Sequence, residues 1–108
     1  MICVGCTENH GKHMPLGTDT LIPDRIAELL EEKCDVMIAP TIPYGATNTI
    51  YGCPGTITIG TDGLIMLLTK VCDCLYRYGF RTMVTAATAR LLSRWAWSFT
   101  KKEPGLLA

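Results

Sequence analysis

Short apolar runs alternate with amphipathic helical segments along this chain, and that pattern constrains the fold more than any other feature. Ile2-Cys3-Val4 is a brief apolar run closed by Gly5, suited to the end of a buried strand. Ile22, Ile26, Leu29 and Leu30 then recur at helical spacing, predicting a helix from about Thr20 to Lys33. Pro23 is compatible with that helix in its first turn, whose N–H groups lack intrahelical partners. After Asp35, Val36-Met37-Ile38-Ala39 reads as a strand covered on both faces. Thr56-Ile57-Thr58-Ile59 alternates as a short strand does. Leu64, Leu67, Leu68, Val71 and Leu75 mark a second helix, capped by Thr61 or Asp62 and closed by Gly79 after Tyr78. Arg81 to Val84 reads as the next strand. Strands interleaved with helices predict an α/β fold, layered α/β/α around a mainly parallel sheet.

Charge and composition exclude several functions. Ten Lys and Arg balance ten Asp and Glu, so no global field draws the chain to nucleic acid or to an anionic membrane. No apolar run reaches the roughly 18 residues of a membrane span. Glu8, His10, Lys12 and His13 interrupt the start too early for a secretory signal. Six cysteines raise the question of a disulfide scaffold, but Cys72 and Cys74 stand two apart on the second helix and point to different faces. Reduced thiols in a cytoplasmic protein are the expectation. The balance of charge also hides a break: residues 1–80 carry nine acids against five bases, and residues 81–108 one acid against five.

In parallel α/β folds, ligands gather at the carboxyl ends of strands. The first such place is the polar loop from Gly5 to Asp19. Glu8 and His10 are two apart, so in extended chain they face the same way. Carboxylates and imidazole suit zinc or manganese, and Asp19, at the loop's far end, can offer two oxygens. Bridged two-ion sites suit hydrolysis, one ion acidifying water while the other polarises a carbonyl. Simpler roles also fit these residues. Asp19 suits a helix start by capping or by the helix dipole, and His10 and His13 suit an ordinary loop. A zinc knuckle of Cys3, Cys6, His10 and His13 is a further reading, opposed by the apolar strand setting of Cys3.

The stretch Thr7-Glu8-Asn9-His10-Gly11-Lys12-His13-Met14-Pro15-Leu16-Gly17-Thr18-Asp19 resembles the opening motif of the creatininase (creatinine amidohydrolase) family, T-E-x-H-G-x-H-L-P-L-x-T-D. Pro43-Tyr44-Gly45 and Pro54-Gly55-Thr56-Ile57 are similar to its second signature, and Gly79-Phe80-Arg81 to its third. The resemblance spans residues 2–84. It implies an α/β/α sandwich and a binuclear metal hydrolase acting on amide-like C–N bonds of small molecules through metal-activated water. It also implies a homo-oligomer, a hexamer in the intact family. Glu8, His10 and a bridging Asp19 fall on the ligand positions, with zinc or manganese as the metal. His13 and Tyr44 become candidates for contact with the ligands or the substrate. Lys12 and Met14 replace a proline and a leucine, and Thr49-Ile50 stands where many relatives have Glu-His.

The resemblance ends where relatives continue into N-G-H, which supplies a second histidine ligand. Here Val84 is followed by Thr85-Ala86-Ala87-Thr88-Ala89-Arg90, with no ligand among them. Codons for Asn-Gly-Gly-His-Gly-Pro, AAC GGC GGC CAC GGC CCG, read one base later as Thr-Ala-Ala-Thr-Ala-Arg. The expectation is an incomplete creatininase-like domain over residues 1–84 and a frameshifted basic tail over 85–108. Leu91, Leu92, Trp95 and Phe99 form a stripe in that tail beside Arg90, Arg94, Lys101 and Lys102, as in a basic amphipathic helix. Two functions compete on this sequence: a metal-dependent amidohydrolase whose isolated 108-residue chain is inactive, and a non-catalytic fragment or interaction module using the tail.

Overall fold

The computed structural model of the chain describes residues 1–87. Its elements in chain order are β1 (Ile2–Val4), α1 (Thr18–Lys33), a single 3₁₀ turn at Asn48–Ile50, α2 (Gly60–Arg77) and β2 (Thr85–Ala87). β1 and β2 pair in parallel, with Ile2 opposite Thr85 and Val4 opposite Ala87. On the other edge of β1, Val4 forms a parallel bridge with Ile42. β1 is therefore central. A crossover through α1 leads to one neighbour and a crossover through α2 to the other. Right-handed crossovers in opposite directions place their helices on opposite faces of a sheet.

The burial pattern shows those two layers. Ile2 and Val4, alternate residues of β1, pack with Leu64, Leu68 and Cys72 of α2. Cys3, fully buried, points to the other face, where its Sγ lies 3.6 Å from the carbonyl of Pro23 in α1. The expected α/β/α layering around parallel strands is present.

Several elements differ from the sequence expectation. Val36–Ala39 forms no regular strand, although it runs beside β1. Ile42 donates to Cys3 O and accepts from Gly5, as a parallel register requires, but Ala39 donates to Met1 O one position out of that register. Pro40 has no N–H for the intervening place, and the ladder slips around it. Thr56–Ile59 is likewise no strand but a lone antiparallel bridge between Thr7 and Ile57. Thr58 spends its hydroxyl on the amides of Thr47 and Gly60, and on Asn48, which holds the segment as loop.

The last strand lies at Thr85–Ala87, not at Arg81–Val84. Arg81 is tied back to the end of α2, donating to Tyr76 O at 2.9 Å and stacking over the Tyr76 ring. Residues 81–84 are thus used in returning to the sheet. Three residues that the sequence expectation placed in the tail therefore pair with β1, while the expected tail helix lies outside the described residues.

The helix ends also differ in part. α2 carries no side-chain cap, and Thr61 and Asp62 sit inside its first turn. Its close matches expectation: Gly79, at φ +102°, lets Phe80 N–H reach Leu75 O and its own N–H reach Tyr76 O. α1 starts at Thr18, so Pro23 falls in the second turn. It buries Pro23 and Ala27, not the predicted stripe, and Ile22, Ile26, Leu29 and Leu30 are all exposed. Among the described residues, no helix is long and apolar enough to cross a membrane.

Candidate metal centre

The loop from Gly5 to Gly17 leaves the carboxyl end of β1 and returns to it. Gly5 is the reason it can. A Cβ there would lie 2.6 Å from Thr20 Cα and 2.8 Å from Asp19 O, so only glycine lets the first turn of α1 sit against the strand end. Thr20 then donates to Cys6 O at 3.3 Å, and Glu8 N–H to Leu16 O at 3.0 Å, closing the loop. Asp19 is thereby carried to the two residues that leave the strand.

Glu8, His10 and Asp19 converge. One donor atom from each lies within 4.8 Å of the others, and they are the one such group of three among the described residues. His10 Nε2 is 3.8 Å from Glu8 Oε1 and 3.4 Å from Asp19 Oδ2, with each side chain about one-fifth exposed. The other ring nitrogen, Nδ1, lies 3.1 Å from the backbone carbonyl of Glu8. A carbonyl only accepts, so Nδ1 donates there, and the ring is held with Nε2 turned toward the two carboxylates. Ligating histidines are commonly oriented this way.

The electrostatics agree with a site suited to a cation. Burial and then the hydrogen bond and charge of Asp19 push the Glu8 carboxyl up to about 7, with His10 pulling the other way. Cys6, buried beneath the loop, has its thiol pushed up to about 11, first by burial and then by Glu8 and Asp19. Two carboxylates and an imidazole lone pair form an O, O, N donor set of the kind that holds zinc or manganese. The residues present fit a divalent ion.

The remaining candidates lie elsewhere. His13 is exposed and outside the group, its ring packing near Gly11. Tyr44 is also exposed, at the rim of the segment that follows Ile42. Cys3 faces α1, so the four-residue zinc knuckle does not form. Asp19 makes no capping bond and faces His10 instead. Sequence reasoning missed Gly5, Asn9 and Thr56. Their signal was the strand-like alternation of the loop, in which Thr7 and Asn9 point away from Glu8 and His10.

The profile of the creatininase family, described as creatinine amidohydrolase, matches residues 1–87. The chain belongs to the creatininase family. Among curated relatives, a mycofactocin precursor peptide peptidase of Mycolicibacterium smegmatis is 41% identical over 76 residues, covering 65% of this chain and 31% of the relative. A 3-dehydro-scyllo-inosose hydrolase of Thermotoga maritima is 35% identical over 85 residues, covering 78% and 27%. The chain thus spans under a third of the length of these relatives. A creatininase crystal structure superposes with a TM-score of 0.81 at 21% identity, over 94% of this chain and 43% of that one. A creatininase variant of the Zn-Zn type gives 0.75 at 20% identity, over 94% and 43%. These structures place the creatininase fold on the chain, and its described part corresponds to a portion of that domain.

Proposed function

We propose that this chain carries one part of the active site of a metal-dependent amidohydrolase, with Glu8, His10 and Asp19 as ligands to zinc or manganese. The observation that carries the reading is the convergence of Glu8, His10 and Asp19, with the His10 ring set so that Nδ1 meets the Glu8 carbonyl and Nε2 faces the two carboxylates. A divalent ion held there would supply Lewis-acid polarisation of a carbonyl and an acidified water. The chain's own residues do the rest of what can be assigned. Glu8 and Asp19 would bring negative charge to one point and His10 a ring nitrogen, so that the three would hold the ion. The substrate class is a small molecule with an amide-like C–N bond, in keeping with the peptidase and creatinine amidohydrolase names of the similar proteins.

These 108 residues by themselves are proposed to be inactive. A bridged two-ion site needs further protein ligands, and the chain has only two histidines, His10 and His13, both in the first loop. In the assembled enzyme, a cytoplasmic homo-oligomer such as a hexamer is the proposed state. Equilibrium dialysis of the purified chain against zinc or manganese tests the reading. The expected result is about one ion per chain, lost in Asp19→Asn and His10→Gln, with no turnover of creatinine or small amides. Metal-dependent hydrolysis abolished by Asp19→Asn would overturn the inactivity, and absence of binding would overturn the ligand assignment.

A further inference from the structure

The residue between the two ligands, Asn9, has more hydrogen bonds than a surface loop residue requires. Its Nδ2 donates to Pro54 O at 2.8 Å, and its Oδ1 accepts from Gly11 N–H at 2.9 Å. Its own backbone N–H donates to Thr56 Oγ1 at 3.0 Å. Thr7, two residues earlier, behaves likewise: its hydroxyl donates to Pro43 O at 2.9 Å and its carbonyl accepts from Ile57 N–H at 2.9 Å. In extended chain, alternate residues face opposite sides. Thr7 and Asn9 therefore grip the 43–57 segment while Glu8 and His10 face Asp19.

The gripped segment is itself held. Gly55, at φ +87°, lies so close to Leu16 that a Cβ would stand 2.7 Å from Leu16 Cδ2. Leu16 is the residue whose carbonyl receives Glu8 N–H. The ligand loop thus meets residues 54–57 at both of its limbs.

We infer that Asn9 and Thr56 form a positioning clamp, which fixes the backbone between Glu8 and His10 so that the His10 ring keeps Nδ1 on the Glu8 carbonyl and turns Nε2 toward Asp19. The clamp rests on the proposed ligand roles only for its effect on metal affinity. Its effect on the His10 ring does not depend on them. Asn9 is not among the three donors and acts through its neighbours. It also gives the Pro54-Gly55-Thr56-Ile57 signature a role as buttress of the ligand loop.

The test uses the full chain and three variants: Asn9→Ala, Thr56→Val, which removes the acceptor at similar volume, and Thr56→Ser, which restores it. NMR of the His10 ring reads the Nδ1–H hydrogen bond to Glu8 O as a slowly exchanging ring proton. Wild type and Thr56→Ser are expected to show it, and Asn9→Ala and Thr56→Val to lose it. Cobalt titration, read by ligand-field absorption, is expected to show about 10–100-fold weaker binding with an altered spectrum in the same two variants. Thermal melts confirm that each variant stays folded. An unchanged Nδ1–H signal in Asn9→Ala and Thr56→Val overturns the clamp. If wild type binds no cobalt, the ligand reading fails and the Nδ1–H signal alone decides the clamp.

Discussion

α2 buries most of the stripe that its sequence displays: Leu64 and Leu68 are each at most 1% exposed against Ile2 and Val4, Val71 and Leu75 are partly buried, and Leu67 is left exposed. α1 leaves its stripe in solvent and presents Pro23 and Ala27 to the sheet instead, Ile26 remaining 45% exposed. The two helices serve different ends. α2 supplies core volume, for which large side chains are best. α1 must bring the backbone of its first turn against Gly5 so that Asp19 reaches Glu8 and His10, and small residues allow that approach. Periodicity reports that a helix is amphipathic, and the contacts of the described residues decide which face is used.

The comparison can be broken most directly in the core. Leu68→Ala is expected to cost about 2–5 kcal/mol in chemical denaturation, because it leaves a cavity under β1. A cost near zero would mean that α2 is not the core helix. A smaller effect on stability and a larger one on the site are expected from Gly5→Ala. Overpacking against Thr20 should cost about 1–3 kcal/mol and weaken zinc binding in dialysis, since α1 must shift and carry Asp19 with it.

Next comes pH. Because the folded state raises the Glu8 carboxyl from 4.5 to about 7, the folded chain keeps a proton that the unfolded chain has lost. The contribution of Glu8 to metal-free stability is therefore complete below pH 4.5 and is lost as pH rises through about 7. Melts across that window should show the decline in wild type and a flatter profile in Glu8→Gln. Metal uptake should run the other way, strengthening toward pH 7 as that proton leaves more readily. The smallest effect is expected on the outer face of α1. Leu29→Ala should change stability by no more than about 0.5 kcal/mol in the same denaturation assay, and a loss as large as that of Leu68→Ala would erase the contrast between the helices.

Much of the site was legible before folding is considered. The spacing of Glu8 and His10 and the return of the loop to Asp19 are local facts, and the structure brings these three together. Asn9 and Thr56 were legible only in part: alternation turns Asn9 away from the ligands, but its partners Pro54 and Thr56 lie more than forty positions further on. Strand limits failed for a similar reason. The run Val36–Ala39 is apolar enough for a strand, but the register set by Ile42 against Val4 leaves the amide-less Pro40 at a ladder position. Arg81–Val84 lost its place to Thr85–Ala87 because Arg81 found partners at the end of α2.

The sequence by itself determined the α/β class, the two helices, the Gly79 stop and the identity of the three clustered donors. Each depends on periodicity, a single residue's backbone freedom or a spacing along a short stretch of chain. Only the tertiary structure decided which face of α1 meets the sheet, where the strands pair, and which way the His10 ring is turned. Those outcomes depend on pairings between distant segments: Gly5 against Thr20, Thr7 against Ile57, Asn9 against Pro54. A distant partner competes with local preference for the same hydrogen bonds and the same space, and here the distant partner set the geometry.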